Sequence, residues 1–322
     1  MNDTNPEHAG LAREADARRR CLPIQAEYDF EPNVLQQGEG VWQHYIDEGP
    51  RDGAPLLFVH GNPTWSFAWR RLVRAFRETH RCIAVDHVGC GLSDKPADYP
   101  YRLAQHAENL TRLVETLDLR DVTLVVHDWG GPIGLGMARR LPERIARLVV
   151  TNTAAFRSER MPVRLAFCRL PLLSDLAVRG FNAFARGATT MAVEKPLSRA
   201  VKQGYLLPYG NWADRVAVHA FVADIPMRPN HPSWDELTAT ESSLSLWRER
   251  PVRILWGEKD WCFSPAFRAE WQTRLPHAKT FRFPAAGHYL FEDAGEALRQ
   301  RLGEFLDEHV APASSASTDP RT

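Results

Sequence analysis

The chain has 322 residues, enough for one large α/β core carrying an insertion. Its 40 Lys and Arg balance 40 Asp and Glu, which removes the overall positive field of a nucleic-acid-binding protein and points to an uncharged or only locally charged ligand. The five cysteines (Cys21, Cys82, Cys90, Cys168 and Cys262) are widely spaced with no CxxC pair, which argues against a disulfide framework or a zinc cluster and fits a reducing cytoplasm.

The polar N-terminus MNDTNPEHAGLAREADARRR has no apolar core, and no run is long enough to span a bilayer, so neither secretion nor membrane insertion is expected. Residues 1–30 read as a polar extension, the first twenty or so without fixed structure. Strands then follow at VWQHYIDEG, APLLFVHGN, RCIAVDHVG, DVTLVVHD and IARLVVTNT, with helical spacing between them in SFAWRRLVRAFRET, LAQHAENLTRLVETLDL and GGPIGLGMARRL. This alternation predicts a mostly parallel sheet covered on both faces. From about Phe156 to about Arg250 the rhythm breaks into helices and loops without a clear strand. Residues 156–250 are therefore predicted to be a helical cap inserted between core segments 31–155 and 251–310. Strands resume at VRILWGEKD and KTFRFPAAGH, separated by the helical run AFRAEWQTRL, and EALRQRLGEFLDEHV makes a last amphipathic helix. The tail at 311–322 is small, polar and expected to be disordered, and the chain holds no internal repeat.

The stretch VVHDWGGPIG puts Asp128 at the end of a strand, on a sharp turn facing a helix N-terminus. Such a turn needs small residues around a strained backbone, and Gly130 and Gly131 supply them. A helix dipole and nearby amides favour an ionised carboxylate there. A serine in this place attacks acyl carbon, whereas a carboxylate suits displacement at a saturated carbon bearing a leaving group. His288, just after the last strand, is the best base; of the two strands that could supply its orienting acid, LVVTNTAAF ends in Asn152 and threonines, and ILWGEKDWCF offers Asp260 close to its end. Glu258 is the weaker candidate, and Asp293 reads as part of the next helix's N-terminal turn. His60 and His127 read as loop braces. Asn62 and Trp129 offer backbone and side-chain N–H donors to a departing anion. No cofactor or metal is called for.

HGNPTWS, DHVGCGLSDKP, VVHDWGG, WGEKDWCF and AGHYLFED resemble the haloalkane dehalogenase branch of the α/β-hydrolase superfamily, over nearly all of residues 35–310. That resemblance implies an α/β-hydrolase fold with a mostly parallel eight-stranded sheet. Epoxide hydrolases share HDWGG but need two cap tyrosines, and the insertion offers only Tyr205 and Tyr209, four residues apart. Within the branch, LVVTNTAAF, FNAFARGA, PYGNWADRV, ADIPM and DHVGCGLSDKP are similar to the β-lactone decarboxylases of bacterial olefin biosynthesis. The resemblance implies conversion of a cis-3,4-dialkyl-β-lactone to a cis-alkene and carbon dioxide, and association with the β-lactone synthetase of that pathway. A dehalogenase is the alternative. Residues 163–184, apolar but carrying arginines and a proline, read as a packed cap helix with a secondary role in touching a membrane or a partner.

Overall fold

The computed structural model describes residues 6–160 and 175–309. Eight strands form one sheet: β1 (Pro32–Gly38), β2 (Val41–Glu48), β3 (Pro55–Val59), β4 (Arg81–Val85), β5 (Val122–His127), β6 (Ile145–Thr151), β7 (Val252–Gly257) and β8 (Lys279–Phe283). Their order is β1-β2-β4-β3-β5-β6-β7-β8. Only β2 runs against its neighbours; all pairings from β4 to β8 are parallel.

The parallel strands are near-continuous apolar runs because both of their faces are covered. Leu57, Val59, Leu124 and Val126 face one layer, which includes helices Leu103–Thr116 and Gly130–Arg140. Leu56, Phe58 and Val125 face the other, with helices Arg70–Phe76 and Gly295–Asp307. Each such Val, Leu or Phe contributes about 1.5–3 kcal/mol by leaving water. This two-sided burial makes the strand ends rigid enough to hold functional groups in place.

Three sequence expectations need correction. β1 escaped the periodicity reading because PNVLQQG opens on proline and carries three amide side chains; as an edge strand it has one neighbour and needs no apolar run. Strands anticipated at APLLFVHGN, RCIAVDHVG and KTFRFPAAGH leave the sheet after Val59, Val85 and Phe283, where the chain turns into the polar loops described below. The early residues are not uniformly without structure: Pro6–Cys21 forms a helix. Its Gly10 lies close enough to the Trp42 ring that an added Cβ would sit 3.3 Å from it. Arg13 stacks over that ring and pairs with Asp94 at 3.2 Å, which holds the helix against β2.

Between β6 and β7, residues 175–250 contribute helices Ala183–Met191, Arg199–Leu206, Val216–Ala223 and Trp234–Ser242, and no strand. The last is tied to the core by Glu236, which pairs with Arg139 and Arg140 at 3.1 and 2.6 Å. Much of the apolar run at 163–184, like the tail at 311–322, lies outside the described residues. No described helix is long and apolar enough to cross a membrane.

Candidate active site

Asp128 follows β5 directly and adopts φ 51°, the left-handed region that a residue with a side chain enters only under constraint. The constraint is visible on all sides. The Asp128 N–H donates to the Asn152 carbonyl at 3.2 Å, and its own carbonyl accepts from the Gly131 N–H at 3.0 Å and from the Thr153 hydroxyl. A Cβ at Gly61 would lie 2.0 Å from Asp128 Oδ1, and one at Gly130 would lie 2.1 Å from the Val59 carbonyl oxygen. Glycine is thus required where β3 and the following helix close on the turn.

The carboxylate points into a buried site. The Asn62 backbone N–H donates to Asp128 Oδ1 at 2.7 Å, and the Trp129 backbone N–H adds a second bond. Burial nevertheless raises the Asp128 pKa from its ordinary value, outweighing the lowering by His288 and by these amides. Desolvation therefore exceeds the stabilisation that the amides at the helix N-terminus and the imidazole give the ionised form.

His288 and Asp260 converge on the same place from the ends of β8 and β7. His288 Nδ1 lies 2.8 Å from Asp260 Oδ2, and its Nε2 lies 3.8 Å from Asp128 Oδ2. Asp260, which is 2% exposed, also accepts from Asn152 Nδ2 at 2.9 Å and from the Cys262 and Phe263 amides at 2.6 and 3.0 Å. Three donors thus hold a buried carboxylate against the imidazole, which fixes the proton on Nδ1. Burial alone would lower the His288 pKa, but the charge and hydrogen bond of Asp260, with Asp128 beyond, leave it raised.

The other sequence candidates lie elsewhere. Glu258 pairs with Arg268 and Arg282 at 2.8 and 3.3 Å rather than with His288. Asp293 lies, as expected, in the first turn of the next helix, the single-turn Leu290–Asp293, and its carboxylate accepts from the backbone amides of Glu194 and Gly287. His60 accepts from the His87 N–H at 3.0 Å, while His127 Nε2 lies 2.9 Å from the His288 carbonyl. The Asn62 side chain departs from its expected place as a free donor: Nδ2 donates to the Val218 carbonyl at 3.0 Å, tying the β3 loop to helix Val216–Ala223. Tyr205 and Tyr209 turn away, towards Glu292 at 2.6 Å and the Thr64 carbonyl at 3.4 Å.

Asp128, His288, Asn62 and Trp129 open on a cavity of about 370 Å³ whose walls include Leu103, Phe156, Phe184, Val222, Met227 and Leu237. Cys262 also lines it, with a thiol pKa pushed up by burial and by Asp260 and Asp128. Sequence reasoning passed over Cys262 and Asn152; the signal for both was their position, one just beyond a strand end and one two residues after Asp260. Among the described residues, no group of three His, Cys, Asp or Glu side chains could hold a metal ion.

Residues 54–295 match the family described as alpha/beta hydrolase fold, and the chain belongs to that family. The cis-3-alkyl-4-alkyloxetan-2-one decarboxylase of Shewanella oneidensis is 42% identical over 84% of this chain and 89% of its own. The enzyme of the same name from Xanthomonas campestris is 39% identical over 88% of this chain and 98% of its own. Among solved structures, the haloalkane dehalogenase DbeA from Bradyrhizobium elkani superposes with a TM-score of 0.78 at 26% identity, covering 87% of this chain and 98% of that one.

The charge relation between Asp260 and His288 can be read without any substrate. Asp260→Asn should lower the His288 pKa, because burial then acts against a weaker opposing charge, whereas Glu258→Gln should leave it unmoved. Titration of the histidine ring by NMR checks both, and an unshifted ring in Asp260→Asn would assign the orienting role to another acid.

Proposed function

We propose that this protein decarboxylates cis-3-alkyl-4-alkyl-β-lactones to cis-alkenes and carbon dioxide, with Asp128 as the nucleophile. The observation that carries the reading is a buried carboxylate, held by two backbone amides, at the mouth of an apolar cavity. The two relatives named as oxetanone decarboxylases support the substrate class.

In this mechanism Asp128 attacks the ring carbon bearing oxygen. The C–O bond breaks with relief of ring strain, and the substrate gains a carboxylate as Asp128 becomes an ester. The carbon–carbon bond to that carboxylate then breaks, its electrons form the double bond, and Asp128 leaves unchanged. Stereochemistry follows from the two steps: attack inverts the carbon, and anti elimination from the inverted ester turns a cis lactone into a cis alkene. The negative charge passes from Asp128 to the released carboxylate without leaving the site. The Trp129 indole and the second proton of the Asn62 amide are the donors assigned to that anion, and His288, held by Asp260, supplies positive charge beside it. No metal or cofactor enters the scheme.

In the same reading residues 156–250 form a cap over a core of residues 31–155 and 251–310, with residues 1–30 an extension. The exposed Leu176, Phe181 and Trp212 on the cap would meet a delivering partner, the β-lactone synthetase of the same pathway, or a membrane surface, with the enzyme itself in the cytoplasm.

A second reading, hydrolytic dehalogenation, is favoured by the 3.8 Å between His288 Nε2 and Asp128 Oδ2, which suits a base acting on water near an ester of Asp128. The two separate experimentally through water. Turnover of a cis-dialkyl-β-lactone in ¹⁸O-water is expected to yield alkene with the Asp128 peptide unlabelled, since no water enters. Heavy oxygen in that peptide, with β-hydroxy acid as product, would leave a hydrolase. Asp128→Ala should abolish turnover while circular dichroism and melting stay near wild type.

The pH profile offers an independent check. Decarboxylation needs ionised Asp128, so its acid limb lies above the ordinary carboxylate value of about 4, by the sign of the Asp128 shift. Hydrolysis needs neutral His288, whose raised pKa puts that limb above about 6.5. Turnover retained below about pH 6.5, where His288 is charged, fits the first and excludes a mechanism that needs the neutral ring.

A further inference from the structure

The five residues from Met191 to Lys195, which end the cavity-lining helix Ala183–Met191, make an unusual set of bonds. The Met191 carbonyl accepts from the Trp261 indole N–H at 2.8 Å, and the Ala192 carbonyl from the Tyr289 N–H at 2.7 Å. The Glu194 and Lys195 amides both donate to the Asp293 carboxylate, each at 3.0 Å, and the Gly287 N–H donates to the same carboxylate at 2.8 Å. Lys195 Nζ reaches the Asp293 carbonyl at 3.1 Å, and the Glu194 carboxylate pairs with Lys259 at 3.0 Å. The partners Lys259 and Trp261 flank Asp260, and Gly287 and Tyr289 flank His288.

We infer that Asp293 is a positioning residue that couples the cavity wall to the acid–base pair, so that an alkyl chain seated against helix Ala183–Met191 sets the placement of His288. The inference rests on the proposed assignment of His288 and Asp260. Three backbone N–H groups from two separate segments end on one 7%-exposed carboxylate, whose two oxygens are both engaged. A carboxylate can accept all three bonds; an amide in its place offers one acceptor oxygen and turns an NH₂ group towards other donors. Ala183, Phe184, Ala188, Met191 and Ala192 line the cavity, so the wall that a long chain would press is continuous with this clamp. The physical content is a shared rigid element: displacement of residues 191–195 moves the loops holding Asp260 and His288 together. Asp293 touches no reacting atom.

The test compares two substrates and one inert ligand with the full-length protein. For a cis-lactone bearing long alkyl chains, Asp293→Asn is expected to lower kcat by roughly tenfold, in the lower part of the usual range for coupling between sites. For cis-3,4-dimethyl-β-lactone, whose one-carbon substituents press the wall least, kcat should fall far less, so the chain-length preference in kcat collapses. Trp261→Phe removes the indole bond to Met191 while keeping an aromatic ring at the cavity wall, and should shift the preference in the same direction, which covers the case of Asp293→Asn failing to fold. Separately, 1-dodecanol filling the cavity, which His288 itself lines, should shift the His288 ring resonances less in Asp293→Asn than in the wild type, because direct contact remains in both and only the relayed part is lost, a result that needs no turnover. Equal losses on both lactones, or the same dodecanol shift in variant and wild type, would overturn the coupling. Failure of the wild type to make alkene from either lactone, with the dodecanol difference intact, would count against the decarboxylase reading alone.

Discussion

A buried carboxylate that opens on an apolar cavity faces a solvation constraint, and the site is organised around it. For the proposed reaction Asp128 has to be dry enough to attack an apolar substrate and solvated enough to stay charged. Protein groups replace water: backbone amides of Asn62 and Trp129 on one side and the imidazole of His288 on the other. The imidazole in turn depends on Asp260, which depends on Asn152 and the amides of Cys262 and Phe263. Each buried charge is therefore met by the next group outward until the chain of partners reaches the sheet.

The sheet is what makes such a sequence of partners hold its geometry. β3, β5, β6, β7 and β8 end side by side, and each hands one loop to the site. Asn152, at the end of β6, donates to the Gly257 carbonyl and accepts from the Gly257 amide at 3.0 and 2.8 Å, welding two strand ends next to Asp260. The left-handed backbone of Asp128 survives because glycines at 61 and 130 let two elements approach it and because the Asn152 carbonyl and Thr153 hydroxyl anchor it.

Much of this was legible in the sequence because it follows from local rules. Seven of the strands show as β-branched runs, and HDWGG shows the turn, since the small residues and the carboxylate are contiguous. Asp260 stood out over Glu258 by its distance from the strand end, although nothing local revealed that Arg268 and Arg282 engage Glu258. The misses have a common cause in long-range partners. β1 is polar because an edge needs one neighbour, and helix Pro6–Cys21 gains its order from Trp42 and Asp94, far along the chain. The Asn62 side chain is legible from its place in the loop after β3, but the Val218 carbonyl that engages one of its protons lies in the insertion and has no local signal. Asp293 likewise looked like a helix-terminal acid until Glu194 and Lys195 were seen to end on it.

The bonds at 191–195 also bear on how such a chain can diverge. The insertion between β6 and β7 supplies most of the cavity wall, yet it contributes neither Asp128 nor the His288–Asp260 pair. Its length and side chains are free to drift with the size of the molecule to be held, provided one short stretch keeps its backbone register against Trp261, Tyr289 and Asp293. That stretch is bound chiefly through main-chain groups, so its own side chains can change without loss of the joint. Selection on ligand size and selection on reactivity thereby act on largely separate sets of residues, and a lineage could exchange one substrate range for another without rebuilding its chemistry.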